Sequence, residues 1–468
     1  MASVENERMV GDLLAPDIVE MLEARQIGLV RAALSELMDP EIADVLIALP
    51  PHQRAMAFRL LPRARAADVF TFLPPEEQEQ LLAELTNEQL AQVFDEMDPD
   101  DRADLFEEMP GPIVAKLLAL MKPEERRQTQ IILGYPPESV GRIMTPDYVA
   151  LRPEWTVQQA LDHIRQYGRD AETISTLYII DATRKLIDNI RLRQLILADP
   201  QNPIQSLMTG QVVALRATDD REEAVRAMDR YDQPVLPVVD SGGVLVGIVT
   251  FDDVADVAKE EVTEDIQKLG GVEALEAPYL STPLLELVRK RGLWLSVLFL
   301  AQLLTASAMG LFEAEIIQAV VLALFIPLII SSGGNSGSQA ATLVIRAMAI
   351  HEVALRDVWK VLRRELACGA MLGCWLGLLG LLRILVWHWA GLVDYTDHYH
   401  WLGLTVMIAL VGVVMWGTLV GSMLPFIIRR LHLDPATVSA PFVATLVDVT
   451  GLIIYFTTAL LMLSGKLL

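Results

Sequence analysis

Between residues 293 and 463 the chain is built from five apolar runs, at about 293–312, 317–345, 366–393, 400–428 and 441–463. A helix crosses a bilayer core with about 20 apolar residues, so each run is long enough to span. The last run narrows the possibilities further, because from Pro441 to Leu463 its only ionisable carboxylate is Asp448. A charge at the bilayer centre costs roughly 2.5–3.5 kcal/mol on insertion scales. A carboxylate kept at that depth marks a polar path, and its charge suggests a cation.

The joints between the runs set their orientation. Arg289, Lys290 and Arg291 precede the first run, Arg346, Arg356, Lys360, Arg363 and Arg364 separate the second from the third, and Arg429 and Arg430 separate the fourth from the fifth. The joints at 312–315 and 393–400 carry no Lys or Arg. Basic loops stay on the cytoplasmic side. The expectation is a multi-pass protein of the cytoplasmic (inner) membrane, with its N-terminal part cytoplasmic and its C-terminus outside. An odd number of spans does not divide into an inverted repeat, whereas a homodimer would supply ten.

Composition agrees with a chain in two parts. The formal net charge is −23, yet mean hydropathy is positive. Acidic and basic residues are dense before about residue 290 and sparse after it. Strong acidity argues against nucleic acid, whose phosphates need Lys and Arg, and is compatible with divalent cations. Cys368 and Cys374 both lie in an apolar run and imply packing rather than a disulfide framework. Residues 1–30 are charged and lack an apolar core segment, so no secretory leader is expected.

The soluble part divides in turn. Leu37, Leu49, Leu61, Leu73, Leu85, Met97, Met109, Met121 and Leu133 recur every twelve residues, often followed by a helix starter: Pro50, Pro62, Pro74, Thr86, Asp98 or Pro110. Proline suits the start of a helix. The spacing predicts short stacked helices, an all-α superhelical and acidic N domain over 1–135. Residues 136–257 contain two segments that begin alike, Ile143-Met144-Thr145-Pro146 and Leu207-Met208-Thr209-Gly210. Each continues into a short strand, an amphipathic helix and a hairpin. This pattern resembles tandem α/β CBS domains. The second copy fits better, through Gly247-Ile248-Val249-Thr250-Phe251-Asp252-Asp253. The first carries Leu186-Ile187-Asp188-Asn189-Ile190 instead. Residues 258–291 read as a single connecting (plug) helix, acidic at its start and basic at its end, leading into a transmembrane pore domain of five helices over 292–468.

Within the second run stand Pro327 and the polar stretch Ser331-Ser332-Gly333-Gly334-Asn335-Ser336-Gly337-Ser338-Gln339. These residues weaken a helix and predict opened backbone along a water-filled path; the competing reading is small-residue helix packing. No catalytic constellation, Walker loop or metal-binding His/Cys spacing is present, so an enzyme or an ATP-driven pump is not expected.

The stretch 333–339, together with Pro441-Phe442-Val443-Ala444-Thr445-Leu446-Val447-Asp448-Val449-Thr450-Gly451, resembles the MgtE family of magnesium channels, and the resemblance covers nearly the whole chain. It implies a homodimer in the lipid bilayer with one pore between its membrane halves, carrying Mg²⁺ as substrate and closed when cytosolic Mg²⁺ binds acidic sites between the soluble domains. The residues agree: Mg²⁺ keeps several waters and favours oxygen ligands. The expected pore residues are Asp448, Asn335, the backbone carbonyl of Ala440, and Asp434 at the cytoplasmic mouth. Helix capping is an equal alternative for Asp434, and an ion pair with Arg383 is the structural alternative for Asp448. The expected regulatory carboxylates are Asp100, Asp101 and Asp104 in the N domain, Asp220, Glu222, Asp232, Asp253 and Asp256 in the CBS part, and Glu261, Glu264 and Asp265 on the connecting helix. Clustered carboxylates repel, and a divalent cation turns that repulsion into bridging. Thr250 and Asp253 also resemble the nucleotide-contacting pair of CBS units, which makes ATP a candidate modulator. Two further readings compete: a cation-coupled carrier for Mg²⁺ or Co²⁺, and a non-conducting CBS membrane sensor.

Overall fold

A computed structural model describes residues 9–464, apart from 110, 170, 276–278, 281, 351, 394, 396, 397, 432 and 438. The chain forms two compact units, Met1–Lys259 and Glu260–Leu468.

The first unit opens with ten helices among the described residues: α1 (Met9–Glu23), α2 (Ile27–Ser35), α3 (Asp39–Ala48), α4 (Pro51–Phe58), α5 (Arg63–Thr71), α6 (Pro75–Glu84), α7 (Asn87–Glu96), α8 (Pro99–Glu108), α9 (Gly111–Leu120) and α10 (Pro123–Ile132). The twelve-residue register marks their ends. Leu49, Leu85, Met97 and Met109 are extended C-caps, and Pro50, Pro62, Pro74, Thr86 and Asp98 are the N-caps that follow. Pro110 lies outside the described residues.

The structural repeat is twice as long as the sequence register. The buried side chains of Arg54, Gln78 and Arg102 stand 24 residues apart, and each donates to the carbonyl eight residues earlier, on Leu46, Phe70 and Phe94. Those carbonyls lie near the ends of α3, α5 and α7, where helix acceptors lack intrahelical partners. Arg54 also pairs with Glu77, and Arg102 with Glu125. Each unit of the stack is therefore a helix pair, with Phe58, Phe70, Phe94 and Phe106 running through it in successive ring contacts.

Two three-stranded sheets follow, as the CBS pattern predicts. In the first, β1 (Ala150–Leu151) pairs parallel to β2 (Thr176–Ile180), which pairs antiparallel to β3 (Leu186–Arg191). In the second, β4 (Leu215–Arg216), β5 (Val235–Val239) and β6 (Leu245–Thr250) repeat the arrangement. Helices α11 (Val157–Tyr167) and α13 (Glu222–Tyr231) occupy matching places, and α12 (Leu192–Leu197) follows β3. Bridges Thr145–Ile248 and Lys185–Val244 join the halves. In the first half, Asp188 is fully buried and accepts the N–H groups of Thr209 (2.6 Å) and Gly210 (2.8 Å). It stitches the two copies together.

The connecting segment differs from its prediction. Helix α14 (Phe251–Leu269) begins in the first unit and stops at Gly270-Gly271, and a separate helix, α15 (Leu284–Leu311), starts after Pro283. Gly271 has φ +72°, a left-handed conformation open to glycine. The basic triplet Arg289–Lys290–Arg291 belongs to this new helix and runs straight into the first span. The glycine pair and Pro283 end what charge patterning alone reads as one helix.

The other long helices of the second unit are α17 (Ile326–Ala349), α18 (Val358–Trp389), α19 (Tyr399–Arg430) and α20 (Ala440–Leu463), with the short α16 (Glu313–Gln318) and a 3₁₀ stretch, Val320–Phe325, before α17. Together with α15, these make five helices, among the described residues, long and apolar enough to cross a membrane. Half of the apolar window of the fourth is buried, against 11% for the first, so α19 is the centre of the bundle and α15 lies at its margin.

The polar stretch in the second span is not opened backbone. It is continuous helix, with Pro327 tolerated in the first turn of α17. Its glycines are contact surface: a Cβ on Gly337 would lie 2.9 Å from the carbonyl oxygen of Gly417, and Gly417 and Gly421 in turn abut the backbone of Gly333 and Gly337. Small residues bring the two backbones together. The departure from helix in this span lies earlier, in the 3₁₀ stretch.

Candidate ion path and acidic cluster

Asp448 lies on α20, seven residues past Pro441 and so about 10 Å along the helix. Its carboxylate flanks Gly334 of α17, where a Cβ would be 3.6 Å from Asp448 Oδ1. Its side-chain partner is Gln302 of α15. Arg383, the alternative partner, instead stands over the rings of Trp387 (4.2 Å) and Phe325 (5.6 Å), a cation–π arrangement. Thr450 faces away, its hydroxyl accepting from Trp416 Nε1 at 2.8 Å.

On α17, Ser331, Asn335, Gln339 and Thr342 follow helical spacing and are all exposed, while Gly333, Gly334, Ser336 and Gly337 are buried. Asn335 donates to Ser331 Oγ at 3.3 Å. A polar stripe on the outside of an apolar helix is costly against lipid and stable against water or protein.

The other two expected pore residues are already engaged. The Ala440 carbonyl accepts the Ser338 hydroxyl at 3.0 Å, besides opening the hydrogen-bond ladder of α20. Asp434 caps the 3₁₀ turn Pro435–Thr437 through the Ala436 N–H (2.9 Å), and its second oxygen meets Lys268 Nζ at 2.9 Å. Its capping alternative is therefore realised, and the cation it holds is a lysine.

In the first unit, part of the expected regulatory set converges. Asp98, Asp100, Asp101 and Asp104 belong to the N-cap and first turns of α8. Asp252, Asp253 and Asp256 belong to the start of α14, and Glu172 lies in the loop before β2. Asp100 is 7% exposed with Oδ1 lacking a hydrogen-bond partner. Burial, then the charges of Asp253, Asp101 and Glu172, hold its carboxyl well above the usual range. Partial desolvation followed by neighbouring carboxylates pushes Asp101 and Glu172 up to about 7. The same causes bring Asp253 to about 6, although Thr250 donates to it at 2.6 Å. Among the described residues no three potential ligands converge as a formed metal cage. The group is a crowd of separated carboxyl groups that disfavour one another's charge, of the oxygen chemistry that a hard divalent cation takes.

Of the remaining expected carboxylates, Asp220, Glu222 and Glu264 have local partners. Asp220 accepts the Glu222 N–H (2.9 Å), Glu222 pairs with Arg226, and Asp232 is the left-handed cap of α13. Glu264 pairs with Lys268 at 2.5 Å, and Glu261 and Asp265 lie on the same stretch of α14. Sequence reasoning did not single out Glu172, Asp252, Gln302 or Lys268. Gln302 carried a readable signal, being the one side-chain amide in the first apolar run.

Three family models match: the MgtE divalent cation transporter over 326–458, the MgtE intracellular N domain over 37–138, and the CBS domain over 140–200 and 204–260. The chain is 41% identical over 340 residues to the magnesium transporter MgtE of Thermus thermophilus, covering 73% of each chain. The chain belongs to the MgtE family. It is also 32% identical over 338 residues to the magnesium transporter MgtE of Bacillus subtilis, covering 70% of this chain and 71% of that one. A solved structure of the soluble part of a magnesium transporter matches at 29% identity with a TM-score of 0.50, covering 53% of this chain and 97% of that one. As an MgtE-family member the chain is a membrane-integrated transporter and not an enzyme.

Proposed function

We propose that this chain carries Mg²⁺ into the cytoplasm through a pore lined by Asp448 and the polar stripe of α17, formed between two copies. The stripe carries the reading: Ser331, Asn335, Gln339 and Thr342 are exposed on a single chain, and a second copy lays them along a watery path. Asp448, beside Gly334, supplies one carboxylate per copy, and Asn335 offers an amide to the waters a magnesium ion retains. The basic joints keep the first unit cytoplasmic and the C-terminus outside.

Closure follows from the acidic cluster. With no cation bound, Asp98, Asp100, Asp101, Glu172, Asp252 and Asp253 repel one another. Mg²⁺ bridges them and compacts the cytosolic unit, and Glu261, Glu264 and Asp265 extend the acidic line along α14. ATP is proposed as a modulator at Thr250 and Asp253, whose hydroxyl and carboxylate lie 2.6 Å apart. Protection of the chain from heat by millimolar ATP tests that part, and no shift overturns it.

Mg²⁺ flux into proteoliposomes tests the whole reading. Asp448→Ala abolishes flux, and Asp100→Asn with Asp101→Asn and Asp253→Asn frees it from inhibition by Mg²⁺. Current that follows the Mg²⁺ gradient with no coupled ion distinguishes a channel from a carrier. Flux unchanged by Asp448→Ala overturns the pore assignment.

A further inference from the structure

The second unit contains a fastening between the end of α14 and the start of the helix that carries Asp448. Lys268, in the last turn of α14, places its ammonium 2.5 Å from Glu264 on its own helix and 2.9 Å from Asp434, 166 residues further along the chain. Asp434 is itself fixed. Its other oxygen accepts the Ala436 N–H at 2.9 Å, and its carbonyl accepts the Thr437 hydroxyl at 2.7 Å. The 3₁₀ turn so built leads directly to Ser439, the N-cap of α20.

A second contact holds the same two ends together. The Ser439 hydroxyl is fully buried, accepts the Phe442 N–H, and is met by Trp294 Nε1 of α15 at 3.1 Å. Gly271, just past α14, packs on this pair so closely that a Cβ there would lie 2.7 Å from the Trp294 ring and 3.3 Å from Ser439 Oγ. Leu269 packs with Ala436, Val443 and Val447 beneath. Ser439 stands nine residues before Asp448 on the same helical rise, about 13 Å.

We propose that Lys268 is a positioning residue: its ammonium, shared by Glu264 and Asp434, latches the end of the connecting helix to the turn that starts the Asp448 helix, so that the placement of α20 follows α14. Two carboxylates this close repel without a cation between them, and Lys268 is that cation, tethered to the chain. Burial lowers its proton affinity, but the hydrogen bonds to Glu264 and Asp434 together outweigh that and raise it, so Lys268 stays charged at any cellular pH. Regulation by Mg²⁺ then acts through a joint already closed by a lysine. This inference rests on the proposed gating.

The test uses the full chain in three forms, Lys268→Glu, Asp434→Lys and the double charge swap, with two readouts. One is the Mg²⁺ concentration that half-closes flux in proteoliposomes; the other is the thermal midpoint of the detergent-solubilised protein. Each single change is expected to shift the closing concentration roughly tenfold, within the usual range of coupling between sites, and to lower the midpoint; the swap restores both. Midpoints that recover in the swap while closure stays at the wild-type concentration in all three forms would show a purely structural pair and overturn the latch. Singles that shift closure with no recovery in the swap also overturn it. If wild-type flux is not closed by Mg²⁺ at all, the gating reading fails instead. The fastening is then judged on the thermal cycle alone, where non-recovery overturns it.

Discussion

The chain uses carboxylates in two opposite ways. Asp448 stands singly in an apolar helix, with Gln302 as its side-chain partner and Gly334 beside it. The carboxylates of the first unit are crowded, with Asp100 buried among Asp101, Asp253 and Glu172. A lone carboxylate offers a passing hydrated ion one attractive point and little to trap it. A crowd of them is strained until a cation arrives and held once it does. On the proposed reading, conduction draws on the first arrangement and sensing on the second, and the difference lies in how many like charges share the space.

Neutralising each region should separate them most sharply. Asp448→Asn is expected to lower Mg²⁺ flux by roughly 100-fold, corresponding to loss of about 3 kcal/mol of ion stabilisation in the path. Asp100→Asn should act in the other direction on stability. By removing a buried carboxyl whose burial and acidic neighbours cost stability, it makes the first unit more resistant to proteolysis without Mg²⁺ and reduces the protection that Mg²⁺ adds. Protease digestion of the full chain with and without Mg²⁺ checks this, and an unchanged Mg²⁺ increment would place sensing elsewhere. Next in size, Gln302→Leu leaves Asp448 without its amide partner. A hydrogen bond to a charged group contributes about 1.5–3 kcal/mol; the low end of that range corresponds to a fall in flux of about tenfold, with closure by Mg²⁺ retained.

The smallest expected effect is on pH. Asp101 and Glu172 are raised to about 7 and Asp253 to about 6. An acid whose folded pKa is raised binds its proton more tightly when folded. The folded first unit therefore loses stability as pH rises through about 6 to 7, and regains it as pH falls towards the ordinary carboxylate range near 4. Proteolytic resistance without divalent cation should be greater at pH 5.5 than at pH 8, and Mg²⁺ should narrow the gap. An equal gap with and without Mg²⁺ would mean that protons and Mg²⁺ act at different groups.

Much of this was legible in the sequence because it rests on periodicity. Leu49, Leu85 and Met97 mark helix ends, the two Met-Thr turns mark the CBS halves, and apolar run length marks the spans. Asp448 was legible because an apolar span keeps a lone carboxylate only where a polar partner or a polar path meets it. What failed to read is what depends on the partner across space. Gly333 and Gly337 looked like helix breakers and are contact surfaces, a distinction made by Gly417 and Gly421 some 84 residues away. Gly270-Gly271 ended a helix that charge patterning carried through. Asp434 was open between cation site and cap until Lys268 appeared beside it. Glu172 sits in a loop with no motif, and only the fold brings it to Asp100.

The backbone contact between α17 and α19 also limits where this protein can bend. Side chains can slide past one another by changing rotamer, but Gly333 and Gly337 meet Gly417 and Gly421 with no side chain between them. The two helices therefore behave as one beam. On the proposed reading, a widening of the ion path has to be taken up by the parts not welded into it: the marginal α15 and the capped start of α20.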